Sequence, residues 1–332
     1  CVLVPIFKIK PYAAALIEIS FEGGHGTAAG LAPVFTKVGF QEGQELALGL
    51  ATISLCTALI SGMILVHWGR RHHHIKTLHK ATARQRSYHR RIIYELNKQG
   101  IRLSEHLSFT RVISHLLLLA SSVGFGWLLY QGLLIIESTT WAARNPELQL
   151  LQFVPFFPLC MFGGMIAHQL WKLLGLTVSR PLVELLSGIA LSLLIASAVA
   201  TMSLSYISNH LAAFGLLALT GTVWILGGFI ILAPRMFNRN WFQNGIVNAM
   251  QSMGMTATGL LFLHMVDPED KTSSMESFGY KQLLFEPFVG GGIITAFSMP
   301  LILQLGLPMF TFFAGVVFCI WLLLGLFYFK KL

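Results

Sequence analysis

Between Glu22 and Thr27 the chain reads Glu-Gly-Gly-His-Gly-Thr, a glycine cluster in the middle of an apolar run. Hydrocarbon offers no water to the backbone, so a break in helix at membrane depth survives only where protein or a polar cavity satisfies the freed peptide groups. A second break, Ser252-Met253-Gly254-Met255-Thr256-Ala257-Thr258-Gly259, interrupts another apolar run far downstream. That the runs belong in a membrane follows from composition: 55% of residues are apolar and only 11% are charged, far from a soluble domain. The chain is therefore all-α and polytopic.

Segments long enough to cross a core about 30 Å thick, which takes roughly 20 apolar residues, run at 43–68, 112–136, 149–170, 182–207, 213–235, 283–304 and 308–329. Residues 1–7 read as the tail of a further segment, and the sequence opens on Cys1 without a signal peptide, so an N-terminal truncation is expected. Cys1, Cys56, Cys160 and Cys319 have no metal or disulfide spacing.

The net charge of +9 does not mark a nucleic-acid binder, because eleven of the 23 Lys and Arg residues fall between Arg70 and Arg111. A short loop this basic stays cytoplasmic, which makes 69–111 a cytoplasmic loop. It is suited to an anionic lipid surface or to a solvated linker role. The helices at 112, 149, 182 and 213 then alternate, leaving Lys172, Arg180, Arg235 and Arg239 inside and Arg144 alone outside. His72, His73 and His74 lie in this basic stretch, but adjacent histidines diverge and no ligand spacing supports a metal.

Tyr12–Phe21 is about half a membrane crossing as helix at about 1.5 Å per residue. It is followed by the glycines and by Ala28–Val38, with Thr27 as N-cap. Residues 241–266 repeat the plan, and a full-length helix follows each break. Each pair is either a re-entrant hairpin or one discontinuous crossing helix. If the halves are inverted copies, parity favours two hairpins dipping from opposite sides, with 267–281 and Lys330 and Lys331 cytoplasmic. The organisation is thus 1–68 (hairpin 12–38, helix 43–68), the loop 69–111, a second repeat over 112–304 (hairpin 241–266) and an extra helix in 305–332. Two broken segments in corresponding places of two halves point to a secondary transporter.

At such tips a half-helix N-terminus offers free N–H groups to a carboxylate, and unwound carbonyls suit Na⁺. The candidate substrate and ion residues are Glu22, Gly23, Gly24, His25, Gly26 and Thr27 in the first half. In the second half they are Gly254, Thr256, Thr258, Thr295 and Ser298. Na⁺ is expected near Glu22, Thr27 and Thr256, and Glu22 is a candidate cation or proton ligand because an intramembrane carboxylate is functional by default. The same small residues would also serve close helix packing. His115 and His168 read as packing or interface residues. No cofactor and no enzyme motif is visible.

The run Gly23-Gly24-His25-Gly26-Thr27-Ala28-Ala29, the Gly39-Phe40 turn and the helix Ala47–Trp68 resemble the first-half signature of bacterial sodium/glutamate symporters. Leu191-Ser192-Leu193-Leu194 resembles the Ser-Leu-Ser-Leu helix of that family's second half, and Gly254-Met255-Thr256-Ala257-Thr258 its Gly-x-Thr-Pro-Thr tip. The resemblance implies a ten-helix inverted-repeat transporter with two pore hairpins and elevator-type alternating access. It also implies a homodimer in the bacterial plasma membrane, coupling uptake of glutamate or a similar small carboxylate or amino acid to sodium. The chain is divergent: Glu22 replaces a small polar residue, Ala257 a proline, and Val247, Asn248 and Met250 stand in a glycine- and histidine-rich stretch. Thr295 and Ser298 stand where an acidic residue and Asn are expected. These departures, and the missing half-repeat, keep two alternatives open, a proton- or other-ion-coupled carrier of a different substrate and a non-transporting scaffold or remnant.

Overall fold

The computed structural model describes residues 10–75, 109–143, 151, 154, 156–201, 208, 210–286 and 288–328. The expectations for residues 1–7, most of the basic loop, Arg144, Lys330 and Lys331 lie outside the described residues. All regular structure among the described residues is helical.

After a 3₁₀ turn at Pro11–Ala15 and a π turn at Glu18–Glu22 come α1 (Gly24–Gly30), α2 (Ala32–Lys37) and α3 (Glu42–Arg71). Next come α4 (Phe109–Thr139), α5 (Phe156–Leu173) and α6 (Arg180–Thr201). The long α7 (Leu211–Met236) carries a π turn at Gly228–Leu232. The chain ends with α8 (Trp241–Met253), α9 (Thr256–Val266), α10 (Ser274–Phe285) and α11 (Ile293–Leu323). Five of these segments are long and apolar enough to cross a membrane: α3, α4, Arg180–Ser197 of α6, α7 and Ile293–Tyr328. Only 6% of the most apolar window of Ile293–Tyr328 is buried inside the protein. An apolar surface of that extent requires lipid as solvent.

The described residues form two compact units, one from 10–75 and 195–328 and one from 109–143 and 156–194. In the first, α3 is the central post. Its first turn carries Glu42 and Glu45 and its last Arg70 and Arg71, the charge order that a helix dipole favours. Glycines make notches on it: a methyl at Gly62 would overlap the Phe262 ring, and one at Gly69 the Phe242 ring. Removing Cβ lets α8 and α9 sit flush on the post. The core around this contact holds Phe21, Ala58, Val66, Phe242, Ile246, Met250, Met253 and Phe262. Ser54 Oγ donates to the Met253 carbonyl, satisfying one of the acceptors that the end of α8 leaves free.

At the C-terminal end of α3, Trp68, His72, His74, Trp241 and Phe242 form one aromatic cluster. The His74 ring lies 5.9 Å from Phe242 at 8° and 4.9 Å from Trp241. Gln243 Nε2 donates to the His74 carbonyl at 3.1 Å. Burial, and after it the like charge of His72, hold the His74 imidazole below its ordinary pKa.

In the second unit, α4 and α5 meet through Gly126 and Gly163. A Cβ on Gly126 would sit 2.8 Å from Cys160 Cα, and one on Gly163 2.6 Å from Gly126 N. His115 caps the start of α6, with Nδ1 at 2.7 Å from the Arg111 carbonyl and Nε2 at 2.8 Å from the Ser179 N–H. A carbonyl only accepts and an amide N–H only donates, so the proton sits on Nδ1. Glu137 Oε1 accepts the Leu151 N–H at 2.9 Å.

Two sequence expectations need correction. The run 283–304 is not one helix. α10 ends at Phe285, and α11 starts at Ile293 after Gly290 and Gly291, which have φ of +77° and +108°. Three consecutive glycines leave the backbone free to take a conformation that ends a helix. The runs 283–304 and 308–329 are instead joined in α11, which bends at Gly306 (φ 76°, ψ 155°), two residues before Pro308. Secondly, Thr27 is no N-cap. The helix restarts at Gly24, and Thr27 Oγ1 donates back to the Gly23 carbonyl at 2.9 Å from inside α1.

Candidate functional site

The first break is sharp. The π turn ends at Glu22, Gly24 takes φ +68°, and α1 begins immediately. The second break takes two residues, Gly254 (φ −132°, ψ −99°) and extended Met255 (φ −157°, ψ 168°). Beyond it the chain folds back on itself. A Cβ on Gly259 of α9 would lie 2.6 Å from the Val247 carbonyl and 3.0 Å from Gln251 Cβ on α8, which helices continuing in line could not bring together.

The two breaks meet. A Cβ on Gly24 would stand 3.5 Å from the Gly254 carbonyl oxygen. Beside that contact, Gln251 Nε2 donates to Glu22 Oε1 at 3.3 Å, Lys281 Nζ of α10 lies 3.8 Å from the same oxygen, and Lys281 donates to Gln251 Oε1. A cavity of about 170 Å³ opens here, lined by Glu22, Gln251, Lys281, Gln282, Phe285, Glu286 and Val289. At about 30 Å³ per water it has room for several waters or one small solute.

A third glycine break, before α11, completes the arrangement. Gly290 approaches Glu22, where a Cβ would lie 3.4 Å from Glu22 Cγ, and a methyl on Gly291 would overlap the Thr27 hydroxyl. The Gly291 N–H donates to Thr295 Oγ1 at 3.1 Å, and Thr295 Oγ1 donates to Glu18 Oε1 at 2.5 Å.

Of the residues expected from sequence, Glu22 lines the cavity and Gly24 and Gly254 form the contact between breaks. Gly23 packs against Thr27, with a Cβ at 2.6 Å from Thr27 Cβ. Thr27 and Thr295 reach the third break. Thr256 Oγ1 accepts from Gln282 Nε2 at 3.0 Å, and buried Thr258 fills the space beside Gly254. His25 points elsewhere, pairing through Nε2 with Thr52 Oγ1 on α3 at 3.0 Å. Gly26 is exposed with nothing within 4 Å of a Cβ position. Ser298 is buried and donates to the Thr295 carbonyl at 2.6 Å. Glu22, Thr27 and Thr256 are thus each engaged with a different partner.

Gln251, Lys281 and Gln282 were not among the expected residues. A lysine next to an apolar run, with Phe278 and Phe285 three and four positions away, was the available signal.

Broken helices meeting around a charged cluster, in a helical chain whose long spans require lipid, define a polytopic membrane protein built for secondary transport of small solutes. The chain matches the sodium/glutamate symporter family over residues 10–265 and belongs to that family. No curated protein and no solved structure matches it.

Proposed function

We propose that this protein is a sodium-coupled symporter of glutamate or a similar small carboxylate or amino acid. The observation that carries the reading is the meeting of Gly24 with Gly254 beside the Glu22, Gln251 and Lys281 cluster. Peptide groups released from helix at both breaks supply the N–H donors and carbonyl acceptors that an amino acid and a desolvated Na⁺ require. Sodium is assigned to the neighbourhood of Glu22, Thr27 and Thr256, held mainly by the backbone carbonyls that the breaks release.

In this reading, residues 12–38 and 241–266 are two re-entrant hairpins of inverted repeats, and 69–111 is cytoplasmic. The hairpins and the helices after them carry the site across the bacterial plasma membrane in a homodimer. Family membership and the fold-back of α9 on α8 support the scheme. A membrane-impermeant thiol reagent that labels Ser87→Cys in intact cells, without lysis, would reverse the orientation.

One observation favours proton coupling as a second reading. Glu18 accepts the Thr295 hydroxyl, and no cation pairs with it among the described residues. A carboxylate at membrane depth without a cationic partner is a natural proton carrier. Uptake of radiolabelled carboxylates by vesicles under a sodium gradient and, separately, a proton gradient decides between them. Sodium-driven accumulation unaffected by pH supports the first reading, and accumulation driven by protons alone replaces it with the second.

A further inference from the structure

Lys281 is the cationic residue lining the cavity at the junction of the breaks, and its bonding is incomplete. An ammonium has three N–H donors. Among the described residues Lys281 spends one on Gln251, and its distance to Glu22, 3.8 Å, is an ion-pair distance and too long for a hydrogen bond. Glu22 likewise holds one amide donor, from Gln251, on Oε1 alone. Both groups face the same small cavity, and Glu286 and Gln282 complete its polar wall. A positive and a negative group sharing one small cavity match the two ends of a zwitterion. Polar groups placed at a few points of a small pocket set orientation and specificity.

Resting on the transport reading above, we propose that Lys281 is the carboxylate-binding residue of this site and Glu22 the ammonium-binding one. On binding, the substrate carboxylate takes the two unused Lys281 N–H groups. Its ammonium takes the Glu22 oxygen that Gln251 leaves vacant. Gln251 bonds to both residues and is the positioning residue that holds them side by side on the cavity wall.

The test is displacement of radiolabelled L-glutamate from purified full-length protein by unlabelled L-glutamate, glutarate and L-glutamine, with uptake by the parent protein as control. Lys281→Gln is expected to weaken all three carboxylates about 10- to 100-fold, the worth of a charged hydrogen bond, and Lys281→Arg to restore most of the affinity. Glu22→Gln is expected to weaken glutamate and glutamine while sparing glutarate, which has no ammonium. That ratio is read within one protein and needs no matched folding between variants. Unchanged affinities in Lys281→Gln, or equal weakening of glutamate and glutarate in Glu22→Gln, overturn this assignment and leave transport standing. A parent that neither binds nor takes up any of these solutes overturns the transport reading and this assignment with it.

Discussion

Gly291→Ala should be among the most damaging single-methyl additions in the chain. Gly291 has φ +108°, and a Cβ there would overlap the Thr27 hydroxyl. Holding a non-glycine residue in that backbone region costs about 1–3 kcal/mol. Forcing a methyl into a packed contact costs about another 1–3 kcal/mol. Together they reach at most about 6 kcal/mol, and less where one backbone shift relieves both. Thr27→Ala removes the clashing hydroxyl, together with a methyl at 3.5 Å, and leaves Thr27 Cβ at 3.4 Å, an ordinary contact. It also loses the bond to Gly23, worth about 0.5–1.5 kcal/mol. In a double-mutant cycle, Thr27→Ala should therefore recover the packing share and not the backbone share. Unfolding in mixed detergent micelles, followed by tryptophan emission, reads both. If Gly291→Ala unfolds like the parent, or if Thr27→Ala leaves its cost unaltered, the close approach of the third break to the first is wrong.

Gly24→Ala should cost about 1–2 kcal/mol from its left-handed φ alone, whereas Gly26→Ala, in helix and open space, should be neutral or gain up to about 1 kcal/mol. Comparing melting curves separates them, and lost uptake in a stable Gly26→Ala would mark substrate contact there. His115→Leu should cost about 1–3 kcal/mol by stranding the Ser179 N–H, measured by the same unfolding assay. For His74 the folded pKa is depressed, so the unfolded chain binds more protons once pH falls below about 6.5. Stability is full above that value and is lost as pH falls towards the folded pKa. A pH titration of unfolding should show the loss in the parent and a reduced loss in His74→Phe.

The breaks at Gly24 and at Gly254 were legible because glycine inside an apolar run is a strong local signal. The break before α11 was not. Gly290, Gly291 and Gly292 sit close to the start of an apolar stretch, where small residues read equally well as helix packing. Thr27 misled for a related reason. A threonine after glycines looks like a cap, yet the positive φ of Gly24 lets the helix restart three residues earlier. The pairing of Lys281 with Glu22 joins residues at opposite ends of the sequence, and no local pattern encodes it. From composition alone Lys281 belonged to the rim of a cytoplasmic loop. The long spans were legible from length and apolarity, except that 283–304 and 308–329 read as two helices where α11 runs through both stretches from Ile293 with a bend at Gly306. The segment beginning at 149 lies partly outside the described residues, and α5 (Phe156–Leu173) is its described helix.

The central claim is that solute binds where the three breaks meet. It is tested most directly by placing a cysteine at Gln282, on the cavity wall, with the native cysteines replaced, and measuring its rate of maleimide labelling. Glutamate with sodium is expected to slow labelling several-fold, with half-protection near the concentration that half-saturates uptake. A rate that glutamate and sodium leave unaltered, in a protein that still accumulates glutamate, would put the binding site elsewhere.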